Sequence, residues 1–285
     1  MQRLIIFIGL LVTVQFSVAQ IGSNVEYGNN PANGHYLPMM DGTKIYNEVY
    51  GSGRPLILLH GGLFGDISEY EKLIRKLSEH FQVIAIETRG HGKSEIGHQL
   101  FTYELMAQDA YEIIKKTTND SAIVIGFSDG AVTAMKLTIS HPEMVRKLVF
   151  AGGNLSLGDY KPGVKENLEK ITGKSIERDY PGFVNGRKKL MPDSSRWDDF
   201  VEKLKNAWFN QLNVQPFQLK NVKCPVLVVG GDSDQYNPIE GFVNVYKLLP
   251  NASLAIIPNS DHIVFYNYPH LMEDIVTNFI DSKAR

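Results

Sequence analysis

Short unbroken apolar runs alternate with stretches whose apolar residues recur every three or four positions, and this rhythm covers most of the chain. Residues 44–50 and 55–60 have the length and composition of strands. In 66–78, Tyr70, Leu73, Ile74 and Leu77 share one helical face, and Asp66 is placed to cap the first turn. Further strands are expected over 83–86, 121–126, 147–151, 225–230 and 254–257, and helices over 103–116, 129–140 and about 271–281. Continuous apolar strands separated by amphipathic helices predict a parallel sheet covered on both faces.

Between residues 154 and 222 the rhythm breaks. Helical patterns over 161–171 and 196–211 flank a middle punctuated by glycine and proline. In the second, Trp197, Val201, Leu204 and Trp208 stand at i, i+4, i+7 and i+11, one apolar face that predicts packing of this segment onto the core. The segment reads as a helical cap inserted after the strand over 147–151, dividing the core into 35–153 and 223–285.

The N-terminus adds a different pattern. Arg3 precedes an uncharged apolar run over 4–14, followed by Ser17-Val18-Ala19, the layout of a cleavable export signal with its cut after Ala19. The run is shorter than the roughly 20 residues that span a bilayer. The expectation is therefore a secreted or periplasmic protein without stable membrane insertion once the signal is removed. Residues 20–34, with Gly22, Gly28, Pro31 and Gly34, read as a loose leader. Cys224 is the one cysteine, so no intrachain disulfide can form; it precedes an apolar strand and reads as a buried, inert thiol. A net charge of −2 gives no electrostatic case for nucleic acid. The chain has neither an H-E-x-x-H motif nor a cysteine cluster for a metal, and no G-x-G-x-x-G dinucleotide loop, so no metal or cofactor is expected. Asn119, Asn154 and Asn251 open N-x-S triplets, which matter only in a eukaryotic secretory pathway. Nothing in the sequence reports the oligomeric state.

The candidate chemistry starts at Gly126-Phe127-Ser128-Asp129-Gly130, between an expected strand and an expected helix. That context gives G-x-S-x-G its meaning, because a serine on a strained strand-to-helix turn is lifted above the sheet edge. A serine hydroxyl needs a base in hydrogen-bond reach, and the base needs an acid to fix its tautomer. With such an elbow the chain order is serine, acid, histidine. Of eight histidines, His35, His60, His80, His91, His98 and His141 lack that order or lie outside the late loops. His270 reads as the start of the last helix, which leaves His262 in Ser260-Asp261-His262. Asp232 and Asp234 both follow the strand over 225–230, and Asp261 adjoins the base itself.

From about residue 35 onward the chain resembles the α/β-hydrolase superfamily in its capped, esterase-like branch. The motifs carrying the resemblance are the elbow, His60-Gly61-Gly62-Leu63, and Glu87-Thr88-Arg89-Gly90-His91-Gly92-Lys93-Ser94, where Glu87 stands in place of the usual aspartate. The resemblance implies a mostly parallel eight-stranded sheet with helices on both faces and an inserted helical cap. Gly231 through Pro238 matches the family's G-x-x-D-x-x-x-P turn with Asp234 as the acid, leaving Asp232 a turn carboxylate and Asp261 a solvated loop acid. It implies an oxyanion hole from the backbone N–H of Gly62, with Leu63 as a fallback, and that of Asp129. His60 then braces its loop, and Arg89 and His91 are structural. The elbow further resembles that of biphenyl-hydrolase-like (valacyclovir-hydrolase-like) proteins, where the acid beside the nucleophile lies near the amino group of amino-acid esters. Carried over, that acid is Asp129; the competing reading is an acid favoured in the first turn of a helix.

The resulting expectation is a serine hydrolase that cleaves a carboxylic ester of a small molecule through an acyl-enzyme on Ser128, with Leu63, Phe127, Asp129 and Trp208 as substrate contacts. The alternatives are an amidase or aminopeptidase-like hydrolase of amino-acid derivatives, and a ligand sensor of the same fold that turns over slowly. A serine at the centre of the elbow disfavours dehalogenases and epoxide hydrolases, which carry aspartate there.

Overall fold

The computed structural model describes residues 26–282; the expected export signal over 1–19 and the leader residues 20–25 lie outside them. Eight strands, β1 (Gly34–Pro38), β2 (Lys44–Tyr50), β3 (Arg54–Leu59), β4 (Phe81–Ile86), β5 (Ala122–Phe127), β6 (Val145–Ala151), β7 (Val226–Gly231) and β8 (Ala252–Ile257), form one sheet in the order β1-β2-β4-β3-β5-β6-β7-β8. β1 and β2 run antiparallel to their neighbours, and every pairing from β4 through β8 is parallel. This is the α/β-hydrolase fold.

The unbroken apolar strands are explained by burial on two sides. Successive residues of β3 point to opposite faces, Leu56 and Leu58 into one core and Ile57 and Leu59 into the other, and in β5 Ile123 and Ile125 likewise part from Ala122 and Val124. One core is closed by α2 (Tyr103–Thr117), α3 (Asp129–Ser140) and α8 (Ile239–Leu248), the other by α1 (Glu71–Leu77), α9 (Val264–Asn267) and α10 (Pro269–Asp281). Asp66 does cap its segment, its carboxylate accepting from the Ser68 amide, but the first turn is a 3₁₀ turn that gives way to α1.

Residues 155–214 form a layer of their own, with α4 (Val164–Glu169), α5 (Gly173–Asp179), α6 (Pro181–Leu190) and α7 (Trp197–Asn206), the last continuing as a π-helical turn over Ala207–Gln211. The insertion leaves and returns at one point, since the Val214 amide donates to the Leu155 carbonyl at 2.7 Å. The stretch read as punctuated by glycine and proline is helical: Pro181 occupies the first turn of α6, and a capping box of Thr172 and Ser175 starts α5. Trp197, Val201 and Leu204 are buried in a third apolar cluster with Phe101, Tyr103 and Met106 of the core.

The leader is not loose where it is described. Tyr27 is buried, and the amides of Gly28 and Asn30 donate to the carboxylate of Glu48 on β2 at 2.9 and 2.8 Å. Gly34, the last leader residue, already belongs to β1. Burial pushes the Cys224 thiol up to about 11, consistent with an unreactive side chain.

Candidate active site

Ser128 sits between β5 and α3 with φ 53° and ψ −118°, a left-handed backbone that a residue with a side chain adopts only under constraint. The constraint is visible on both sides. A Cβ on Gly126 would overlap the Gly130 carbonyl, and one on Gly130 would overlap the Leu59 carbonyl of β3, so only glycines let the chain cross itself here. The Ser128 amide is tied to the Ala151 carbonyl of β6 at 2.8 Å. The spacing of the elbow is thus a packing requirement that also aims the hydroxyl.

His262 follows β8 and lies over that hydroxyl, with its Nε2 2.9 Å from Ser128 Oγ. Its Nδ1 is 2.8 Å from Oδ2 of Asp234, which is fully buried in the loop after β7. Three further donors reach the same carboxylate: the amides of Tyr236 (2.8 Å) and Asn237 (3.0 Å) at Oδ1, and Asn237 Nδ2 (3.0 Å) at Oδ2. Burial alone raises the pKa of such a group. The hydrogen bond and charge of His262 and the two amides outweigh it and hold the Asp234 carboxyl below the usual carboxylate range. Because Asp234 is an anion that can only accept, His262 carries its proton on Nδ1 and leaves Nε2 free to accept from the serine.

The rejected acids have other partners. Asp232 accepts from the Ser233 hydroxyl, and Asp261 from the Ile263 amide and Asn267 Nδ2. His270 is largely exposed on α10. His60 accepts at Nε2 from the Thr88 amide (3.0 Å), so its Nδ1–H donates to the Gly61 carbonyl (2.6 Å) and braces the loop. Burial, with the Arg187 charge adding to it, lowers His60 to about 3 and keeps it neutral. Arg89 pairs with Asp109 and Asp41 beneath the surface, and His91 packs on Phe200 of α7, so the Glu87–Ser94 turn supports the cap.

The loop over 61–65 turns beside the elbow, with the Gly65 amide donating to the Gly62 carbonyl at 2.6 Å. Among the described residues, the amides of Gly62, Leu63 and Asp129 donate to no protein acceptor. Gly61 is held by Glu69, whose Oε2 accepts from its amide at 2.9 Å. Asp129, the acid of the carried-over expectation, has two protein partners: its Oδ1 accepts from the Tyr103 hydroxyl and its Oδ2 from Trp208 Nε1, each at 2.7 Å. Burial raises the Asp129 carboxyl above its ordinary range, and the two hydrogen bonds only partly offset this. Trp208, expected mainly as a packing residue of the cap, therefore also touches the elbow, whereas Trp197 donates away from it, to the Gly173 carbonyl.

A cavity of about 500 Å³ opens over Ser128 and His262, in the size range of small-molecule sites. Leu63, Phe127, Asp129 and Trp208 all line it, and its lining includes two acids, Asp129 and Glu69, but no lysine or arginine. Sequence reasoning missed Glu69, which looks like any acid in a first helical turn, and Asn237, whose place before Pro238 in the acid turn was the available signal. Asn154, read as the start of an N-x-S triplet, is buried and lines the cavity.

Residues 55–183 match the family model described as alpha/beta hydrolase fold. The human protein named serine hydrolase BPHL is 23% identical, the match covering 85% of this chain and 84% of that protein. The 2-hydroxy-6-oxo-6-(2'-aminophenyl)hexa-2,4-dienoic acid hydrolase of Metapseudomonas resinovorans is 26% identical over 82% of this chain and 86% of that one. Among solved structures, an esterase from Exiguobacterium antarcticum superposes with a TM-score of 0.71 at 23% identity, over 87% of this chain and all of that one.

Proposed function

Because the chain belongs to the α/β-hydrolase superfamily, we propose that it is a serine hydrolase of the capped, esterase-like kind, which cleaves small carboxylic esters through an acyl-enzyme on Ser128. The observation that carries this reading is the continuous hydrogen-bonded line from Ser128 Oγ through His262 to Asp234, with separations of 2.9 and 2.8 Å. In the proposed reaction His262 Nε2 takes the hydroxyl proton as Oγ attacks the acyl carbon. The charge of the imidazolium is then balanced by Asp234. The oxyanion of the tetrahedral intermediate is received by the backbone N–H groups of Asp129 and of Gly62 or Leu63, which have no protein acceptor to give up. His262 returns the proton to the departing alkoxide. Water, activated by the same base, then hydrolyses the acyl-enzyme.

The cavity supports a neutral or cationic substrate over an anionic one, since the Asp129 carboxylate lines it with no lysine or arginine in the lining. That feature also favours, as the second reading, an amidase or aminopeptidase-like action on amino-acid derivatives, which needs the same three groups. We further propose, from the N-terminal sequence pattern, that the protein acts outside the cytoplasm. The test is labelling with a fluorophosphonate and mapping of the adduct by mass spectrometry, followed by a panel of acyl esters and amides. Labelling at Ser128 that is lost in Ser128→Ala, together with turnover of an ester, supports the proposal. A burst without steady-state turnover on every ester would replace it with a slow sensor.

A further inference from the structure

Arg187 lies on α6 of the cap, far in sequence from the elbow and outside the cavity lining, yet it is buried to 6% exposure. A guanidinium is held away from water only where its donors and charge are used. Nη2 donates to the carbonyls of Phe64 and Gly65, each at 2.6 Å, and Nη1 lies 2.7 Å from Oδ2 of Asp66. The face of the group stacks 5.0 Å from the ring centroid of Phe183, which lines the cavity and itself packs on Phe64. Every one of these core partners belongs to the single stretch 64–66.

That stretch is the far end of the turn carrying the amides of Gly62 and Leu63. The near end is held by Glu69 at the Gly61 amide, and the turn is closed by the bond from the Gly65 amide to the Gly62 carbonyl. Through the Phe64 carbonyl Arg187 therefore grips the peptide unit whose Gly65 amide closes the turn, and through the Gly65 carbonyl it holds the next unit along. The cap has a second, apolar attachment in the cluster that joins α5 and α7 to Phe101, Tyr103 and Met106. What the guanidinium adds is orientation of one loop.

We propose that Arg187 is a positioning residue for the oxyanion hole, through which the docked cap sets the angle of the Gly62 and Leu63 amides. The proposal rests on the serine-hydrolase reading above. Its physical basis is that donors to a developing oxyanion act only when already aimed. Removal of one such donor lowers kcat by about 10²–10³-fold, and misplacement by about 1 Å is similarly costly. Arg187 does not line the cavity, so ground-state binding is not the contribution proposed for it.

The test uses Arg187→Met and Arg187→Lys in the full protein, with p-nitrophenyl acetate as substrate and a fluorophosphonate to count reactive Ser128. The expected result is a fall in kcat per labelled site of roughly tenfold or more for Arg187→Met, with KM within about threefold of the parent. Arg187→Lys lies between the two, because an ammonium cannot fork to two carbonyls. Arg187→Lys alone decides the matter if the methionine variant does not fold. A kcat per labelled site within twofold of the parent in the folded variants, or a loss carried wholly by KM, overturns the proposal. Failure of the unaltered protein to label at Ser128 is a different result: it removes the serine-hydrolase reading and the proposal with it.

Discussion

Trp208 Nε1 donates to Oδ2 of Asp129 at 2.7 Å, so a residue of the cap is bonded to the residue next to the nucleophile. The carboxylate also accepts from Tyr103 on α2, and both donors are neutral. Asp129 is thus hydrogen-bonded but not charge-balanced, and the raised position of its carboxyl follows from that burial. The pairing makes the cap, the elbow and α2 one polar junction at the wall of the cavity.

A charge without a counter-charge should select for one. We expect Asp129→Asn to lower the ratio of rates on an amino-acid ester and on its uncharged acyl analogue by about tenfold, equivalent to roughly 1.4 kcal/mol of lost attraction. Paired kcat/KM measurements on the two esters give the ratio. An unchanged ratio assigns Asp129 to the junction with Trp208 and Tyr103 alone.

Asp234 can only accept hydrogen bonds, and this fixes the proton on Nδ1 of His262. Asp234→Asn presents an amide that can donate, which turns the imidazole to the wrong tautomer; kcat is expected to fall by about 10⁴-fold with the fold retained. Circular dichroism and ester turnover on the same sample check both halves. Since folding lowers the Asp234 pKa, its contribution to stability is present above the unfolded value, about 3.8, and is lost as pH falls through the folded one. Asp234→Asn should therefore lose less stability than the parent on acidification.

Glu69 titrates in the opposite sense. Burial raises its carboxyl from 4.5 to about 8, against the opposing bond from the Gly61 amide. The folded protein then holds a proton that the unfolded chain releases. Its contribution is full below about pH 4.5 and is lost as pH rises toward 8. Glu69→Gln keeps an acceptor for Gly61 and removes the titration, so urea midpoints at pH 5, 7 and 9 should shift progressively in favour of the variant. Parallel midpoints for the two proteins across that range would show that Glu69 does not hold its proton in the fold.

Arg89 is 1% exposed and is bonded to Asp109, to Asp41 at 2.7 Å and to the Thr43 hydroxyl at 3.1 Å. Arg89→Met leaves two carboxylates facing each other without their cation, a loss expected at about 3–5 kcal/mol. Urea unfolding measures it, and kcat per labelled Ser128 should be nearly unchanged because Arg89 does not reach the cavity. A large drop in kcat at full labelling would place the Glu87–Ser94 turn closer to the chemistry than its contacts suggest.

Much of this was readable without coordinates because it rests on local constraints. The strands β3 and β5 are apolar at every position because both faces of the sheet are covered, and such runs announce themselves. The elbow needs glycines on both sides of Ser128 for steric reasons, and the late loop carrying His262 follows from chain order. The glycine- and proline-marked helices α5 and α6 were missed since their helicity comes from a capping box and a proline in the first turn, against poor intrinsic propensity. The anchoring of residues 27–30 was missed because it depends on Glu48, 20 positions away from Gly28.

Composition and periodicity can say which residue types must lie at a turn, an edge or a buried face, since those demands act within a few residues of chain. They pointed here to seven of the eight strands, the elbow and the candidates for acid and base, whereas the eight-stranded sheet and the choice of Asp234 came from the resemblance to the family. Whether Trp208 meets Asp129, whether Glu69 holds Gly61, and where the guanidinium of Arg187 comes to rest depend on how the cap lands on the core. Those contacts join residues 8 to 123 positions apart and are made by side chains converging from separate elements. No local pattern encodes such meetings, because each depends on the packing of every layer between them.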